Sequence, residues 1–277
     1  MDVKKVVTLG PDGTYASQGA RMYFPGVKTE YRPTIFDVLN VGGAKGGAKG
    51  GAKSTVYIVP LENSIEGTVR QSWDGILEAK LKLVGVFRLP VHHVLVGRAK
   101  DFKKIKKIIS HPQAIAQCRG FIAKNLKGVE IEYVGSTAEA AVRAKKSRKI
   151  AAIASIFASE RYGVPVLSEK IEDEKGNVTV FGVVASQDVY PEREKDEMHI
   201  VVTPRKNMAG VLFNVLKPFS DNSVDLTRLE SRPTRKKMGE YKFLVSFKLD
   251  DRKGVEKVLK ILKKNYRVQS LGESVGL

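Results

Sequence analysis

"KIISHPQAIAQC" spans residues 107–118 and gathers one of four histidines, the single cysteine and two glutamines into one short run. Its reading decides whether the chain is built around a reactive Cys–His centre or around strand-to-helix junctions. Lys107–Ile109 reads as the end of a strand. Ser110, with Gln113 three residues later, forms a capping-box pattern, and Pro112 suits the first helical turn. Local structure thus accounts for His111 without any chemistry. Cys118 belongs to the apolar run Ile115, Cys118, Ile122 and reads as a packing residue, not a nucleophile. Ser110, Gln113 and Gln117, at offsets of three and four, share one helix face. That face begins where free backbone N–H groups favour an anion. The stretch therefore reads as a helix start that also lines a pocket.

The same junction recurs outward along the chain. A strand over 3–10 runs into a Gly-Pro turn, followed by helical pattern from Tyr15 to Tyr23. A strand near Val27–Tyr31 and a helix near Ile35–Leu39 come next. "STVYIVP" (54–60) reads as a strand, with a helix from about Glu66 to Glu78. "LKLVGVFRLPVHHVLVGR" (81–98) is the longest β stretch, and "VEIEYVG" (129–135), "STAEAAVRAKK" and "KIAAIAS" continue the alternation. Strands alternating with helices predict α/β layers with mostly parallel sheets. "PLENSIEGTV" (60–69) places Asn63 and Ser64 at a helix cap, and "GSTAEAA" (135–141) supplies Ser136 with Glu139 as a second capping box. Each is weak alone. Three polar helix N-termini after strands predict a cleft for a small, multiply charged anion.

After the polar stretch 186–197, a second unit reads strand (198–203), helix (208–219), strand (224–231), strand (240–248), helix (253–264), strand (266–271). This βαββαβ order is the ferredoxin-like α+β pattern. The expected division is 1–190 and 191–277. The repeat "GGAKGGAKGGAK" (42–53) reads as a solvated loop without Gly-Lys-Ser/Thr at P-loop spacing.

The 277 residues carry a net charge of +18. The lysines are spread over many segments, with no arginine-rich arm and no aromatic platform, so nucleic acid is not an expected partner. No segment approaches a membrane span and no secretory leader is evident. One cysteine fits a reducing compartment, and the cytoplasm is the expected location. His92, His93, His111 and His199 show no ligand spacing with Cys or carboxylates, so no metal is expected. No Ser–His pair and no telling carboxylate pair can be found.

Taken together, these runs resemble the prephenate dehydratase family over nearly the whole chain. "GPDGTYASQGA" (10–20), "VPLENSIEGTV" (59–69), "SHPQAIAQC" (110–118), "STAEAA" (136–141) and "EDEKGNVTVF" (172–181) follow in the family's order. "GVLFNVLKPFSDNSVDLTRLESRP" (210–233) resembles its regulatory ACT domain. The resemblance implies a catalytic region of two α/β lobes around a cleft, like a type II periplasmic binding protein, then a ferredoxin-like ACT domain. It implies cofactor-free conversion of prephenate to phenylpyruvate, carbon dioxide and water, with L-phenylalanine as effector and a homodimer or homotetramer. Arogenate dehydratase, or a sensor that keeps the cleft without catalysis, are the alternative readings.

Carried over residue by residue, Thr179 is the catalytic hydroxyl. Asn63, Ser64, Ser110, Gln117, Ser136, Thr137 and Phe181 are the substrate-binding positions. Gly210, Leu212, Glu230, Ser231 and Arg232 are the effector-binding positions. One departure stands out: the family reads Thr-Arg-Phe where this chain has Thr179-Val180-Phe181. Strand alternation points position 180 away from Thr179, so the missing guanidinium need not remove a contact beside it.

Overall fold

The computed structural model describes residues 3–40, 54–206, 208–234 and 240–277; the GGAK repeat lies outside the described residues. The first lobe comprises β1 (Lys5–Leu9), α1 (Tyr15–Tyr23), β2 (Lys28–Arg32), α2 (Ile35–Asn40), β3 (Thr55–Asn63), β4 (Gly67–Thr68), α3 (Arg70–Glu78) and β5 (Lys82–Pro90). The chain then crosses into a second lobe of β6 (Val94–Gly97), β7 (Lys107–Ser110), α4 (Pro112–Ala116), α5 (Arg119–Asn125), β8 (Glu130–Tyr133), α6 (Thr137–Ala144), β9 (Ile150–Ala154), α7 (Ile156–Tyr162) and β10 (Val166–Ser168). It returns to the first lobe as β11 (Val178–Ala185). The C-terminal unit is β12 (Glu197–Thr203), α8 (Val211–Asp221), β13 (Leu226–Pro233), β14 (Tyr241–Lys248), α9 (Arg252–Asn265) and β15 (Arg267–Gly276), the expected βαββαβ order.

Two corrections to the β reading follow. The long 81–98 stretch is two strands, β5 and β6, one in each lobe, broken by Val91, His92 and His93. The sheets are also mixed and not mostly parallel. Each lobe has parallel pairs around one strand (β1 with β2 and β3; β7 with β8 and β9). The strand that enters from the other lobe, β11 or β6, inserts antiparallel. Both lobes thereby share one strand order, β2-β1-β3-β11-β5 and β8-β7-β9-β6-β10. Sequence periodicity cannot reveal such a strand, because it pairs with residues more than fifty positions away.

The two crossings lie side by side and are bonded together. Val91 N donates to Asn177 O (2.8 Å), and Ile171 N donates to His93 O (3.0 Å). The Glu172 carboxylate accepts from His93 N (3.0 Å) and pairs with His92 Nδ1 (2.8 Å). The lobes meet again at Asp12, which is held by Ser17 and Tyr31 of its own lobe and by Arg161 of the other. Burial opposes its charge, but these hydrogen bonds prevail and lower its carboxyl to about 2.

The C-terminal unit does not hang from a linker. β15 continues past the expected end at 271 and pairs in parallel with β5 through Val275↔Gly85 and Gly276↔Val86, which joins its sheet to that of the first lobe. The turn between the two sheets requires Gly272: its φ is +116°, and a Cβ there would lie 2.5 Å from the Leu83 carbonyl oxygen. Around this junction Trp73, Ile76 and Leu83 pack with Val201, Leu244 and Leu271 in one apolar cluster. His199 is sealed inside, bonded to Ser246 Oγ (2.8 Å) and Ser274 Oγ (2.9 Å), and burial lowers its pKa to about 3. A second cluster buries α8 and α9 against the C-terminal sheet, through Val215, Phe219, Val258 and Leu262.

Candidate active site

A cleft of about 570 Å³ opens between the lobes beside the crossings. Four helices present their N-termini to it. Thr14 caps α1 (Ser17 N, 3.2 Å), Thr34 receives Asp37 N (3.1 Å) at α2, His111 caps α4 (Gln113 N, 3.3 Å), and Ser136 caps α6 (Glu139 N, 3.0 Å). The capping box at α6 is closed by Glu139 Oε2, which accepts from Gly135 N, one residue before the cap (3.2 Å). No lysine or arginine lines the cleft among the described residues. Its one charged lining residue among them is Glu66, so any attraction for an anion there has to come from helix ends and neutral donors.

Two of the three expected helix starts are corrected. Asn63 does not cap a helix, since α3 begins at Arg70 with Val69 as its cap. Asn63 instead closes an Asx turn, its Oδ1 accepting from Ile65 N (3.0 Å) and Glu66 N (3.1 Å). Ser110 does not cap α4 either. It ends β7 fully buried, donating to Ile153 O across the sheet (2.7 Å), and the cap falls to His111. Ser110 therefore holds β7 to β9 and does not line the cleft. Ser64 is likewise absent from the lining. Its Oγ accepts from Val178 N (2.9 Å) and fastens the start of β11.

Asn63, Gln117, Ser136, Thr137, Thr179 and Phe181 do converge on the cleft. Thr179 pairs with Asn63 across the β11–β3 ladder, and Asn63 Nδ2 donates to Thr179 Oγ1 at 3.0 Å. Because that oxygen accepts from Asn63, the Thr179 hydroxyl proton is free for another acceptor. Val180 is not in the lining; it faces away, paired with Glu62 and Arg88. The arginine that the family carries at 180 would thus lie outside the cleft.

Gln113, read from its helix face as a pocket residue, also lines it, whereas sequence reasoning missed Tyr15, His93, His111 and Asn177. Asn177 is buried and bridges Asn63 (2.7 Å) to Gln117 (3.1 Å). The doubled histidine at the break in the 81–98 stretch was the available signal for His93. Its Nε2 lies 2.9 Å from Gln117 Oε1, and burial depresses its pKa. Burial likewise raises the Tyr15 hydroxyl, which donates to His92 O. Cys118 is fully buried in the second-lobe core and its thiol is pushed well up by burial, so it is a packing residue. Among the described residues, no group of three or more His, Cys, Asp or Glu could hold a metal ion.

The expected effector-binding positions fall on two elements, the start of α8 and the strand β13. Gly210 caps α8 at φ +77°, and Leu212 packs on the C-terminal core. β13 alternates, with Ser231 exposed and Arg228, Glu230 and Arg232 turned toward the first lobe. Arg232 is buried against α3, with Nη2 on Asp74 Oδ2 (2.7 Å) and Nη1 on Arg70 O (3.2 Å). Arg228 pairs with Glu62 and donates to Thr68 Oγ1 (3.1 Å), its guanidinium 5.3 Å from the Trp73 ring centroid.

Residues 6–189 match the family model described as Prephenate dehydratase, and 200–265 match that of the ACT domain. The chain is 34% identical over 270 residues to the prephenate dehydratase of Methanocaldococcus jannaschii, covering 95% of this chain and 94% of that one. It superposes on the Arthrobacter aurescens prephenate dehydratase in complex with L-Phe with a TM-score of 0.84 at 29% identity, covering 98% of this chain and 90% of that one. Arogenate dehydratase 1 of Petunia hybrida is 39% identical over 183 residues, covering 64% of this chain and 42% of that protein.

Proposed function

The chain belongs to the prephenate dehydratase family, and we propose that Thr179 carries its chemistry by hydrogen-bond donation to the hydroxyl that leaves prephenate. The single supporting observation is the Asn63–Thr179 contact, which occupies the threonine oxygen as acceptor and leaves its proton for the cleft. Prephenate loses its ring carboxylate as carbon dioxide. The electron pair of the breaking C–C bond enters the ring and expels the para hydroxyl, which takes up a proton and departs as water. Aromatisation drives the sequence, so the protein's task is to hold the dianion and assist the departing oxygen with oriented dipoles. Asn63, Gln117, Ser136, Thr137 and Phe181 form the substrate wall. Ser64 and Ser110 act one step back, through β11 and β9.

L-phenylalanine is the effector, bound at the C-terminal unit; the L-Phe complex of the Arthrobacter relative supports this. Gly210 and Leu212 lie at the start of α8 and Glu230, Ser231 and Arg232 on β13, and the effector site is completed by a second copy laid against that outer strand. The protein is then a cytoplasmic homodimer or homotetramer.

The test is cofactor-free release of phenylpyruvate from prephenate, with and without L-phenylalanine, in wild type and Thr179→Ala. Turnover that survives intact in the variant removes Thr179 from the mechanism. Competition between prephenate and arogenate distinguishes the alternative that the Petunia likeness raises.

A further inference from the structure

Two backbone N–H groups fix the polarity of every side chain at the base of the cleft. Ile65 N and Glu66 N can only donate, so the atom of Asn63 that receives them is its oxygen. Its nitrogen is then the donor to Asn177 Oδ1 (2.7 Å) and Thr179 Oγ1 (3.0 Å), in agreement with Val178 O, an obligate acceptor, at 3.4 Å. With its oxygen occupied, Asn177 turns its nitrogen to Gln117 Oε1 (3.1 Å). Gln117 Oε1 is an acceptor in that contact, so His93 Nε2, 2.9 Å from the same oxygen, must carry a proton. Of the three side-chain atoms buried without a protein partner among the described residues, two belong to this network, His93 Nδ1 and Gln117 Nε2; the third, Glu230 Oε2, lies on β13. Both residues line the cleft, and His93 is only 3% exposed. A buried amide donor left open in a cleft wall is a place for a ligand oxygen.

We propose that His93 is a positioning residue, held as its Nε2–H tautomer, that fixes the Gln117 amide with its NH₂ group offered to a substrate oxygen. The inference rests on the functional reading given above. Without the His93 donor, Asn177 alone holds Gln117 Oε1. The amide is then free to turn and present its oxygen to an anion, which repels where the NH₂ attracts. Burial disfavours the imidazolium and keeps His93 in the neutral form that the tautomer assignment requires.

The experiment combines kinetics with ¹⁵N spectroscopy of the histidine ring in the full chain. His93→Leu is expected to lower kcat/KM for prephenate by about tenfold or more, the loss of one hydrogen bond to a charged group. His93→Gln, whose terminal amide can reach Gln117 Oε1, is expected to recover most of that loss. In a Gln117→Ala background, His93→Leu should have almost no further effect, because its route to substrate is already removed. The wild-type spectrum should show Nε2 protonated and Nδ1 bare near neutral pH. An Nδ1–H tautomer or an imidazolium there would overturn the proposal, as would additive losses in the double variant. The spectrum needs no substrate, so an inert wild type would refute the functional reading while the tautomer assignment is still decided. If His93→Leu does not fold, the glutamine variant and the spectrum decide alone.

Discussion

Replacing Arg232 with methionine tests whether the C-terminal unit is clamped to the catalytic region or only rests on it. In the structure Arg232 Nη2 donates to Asp74 Oδ2 at 2.7 Å and Nη1 donates to Arg70 O at 3.2 Å, the two charged side chains being 9% and 15% exposed. Both bonds come from a charged guanidinium; the ion-paired one is worth up to about 3 kcal/mol and the one to the uncharged carbonyl about 1.5, the low end of the range. Methionine fills much of the volume but removes the guanidinium from Asp74. Lys242 Nζ, 3.5 Å from the other Asp74 oxygen, limits the penalty. The expected loss is about 3 kcal/mol, below the upper range for breaking a buried pair. Asp74→Asn keeps an uncharged acceptor and should cost about 1.5 kcal/mol. A double-mutant cycle, read by urea unfolding at fixed protein concentration, should give a coupling of about 2 kcal/mol. A coupling under about 0.5 kcal/mol, the worth of a solvent-exposed pair, would refute the clamp.

Thr179→Ala should lower kcat on the order of 10²-fold with little change in KM, as expected when a donor to a departing oxygen is removed, while Thr179→Ser keeps most activity. Steady-state kinetics with prephenate check both, and an unchanged kcat in the alanine variant refutes the role. His199 has its folded pKa lowered to about 3, so its contribution is fully present above its unfolded value of 6.5 and is lost as pH falls toward 3. Stability should drop by roughly 1.4 kcal/mol per pH unit in that window, and His199→Gln should flatten the slope measured by denaturant titration. Cys118 should resist alkylation in the native protein and react fully in urea, because burial closes access and raises its thiol. Rapid labelling without unfolding would contradict its place in the core.

What the sequence made legible was local. The expected βαββαβ order appears, and the capping box at Ser136 and Glu139 forms with a one-residue variation, because those features depend on neighbours three or four positions apart. The two-lobed fold and the convergence of Asn63, Gln117 and Thr179 came from the family resemblance. Local pattern misplaced Ser110 and Asn63 because a serine or asparagine after a strand has several outlets for its side chain. The choice was made by distant groups, the Ile153 carbonyl for one and the 65–66 turn for the other. Asn177 and His93 were illegible for the same reason. Their partners lie 60 and 24 residues away, brought close only when the two crossings align. The extension of β15 to Gly276 was hidden because Gly272 reads as a strand terminator, whereas here it carries the chain from one sheet to the next.

Among the described residues no lysine or arginine lines the cleft wall, in a chain carrying 48 of them, and this follows from the chemistry the cleft is proposed to perform. The ring carboxylate of prephenate is a full anion in the ground state and leaves as a neutral gas, so its charge drains into the ring as the barrier is climbed. A cation fixed on that carboxylate would hold the substrate more strongly than the transition state, and binding of that kind opposes turnover. Helix N-termini and neutral N–H or O–H donors attract the anion with partial charges, and they lose less when its charge departs. In the proposed role, Thr179 would donate where the charge arrives, at the leaving oxygen. Val180 fits the same account: with position 180 turned out of the cleft toward Glu62 and Arg88, a guanidinium there would act on the sheet and not on the reacting carboxylate.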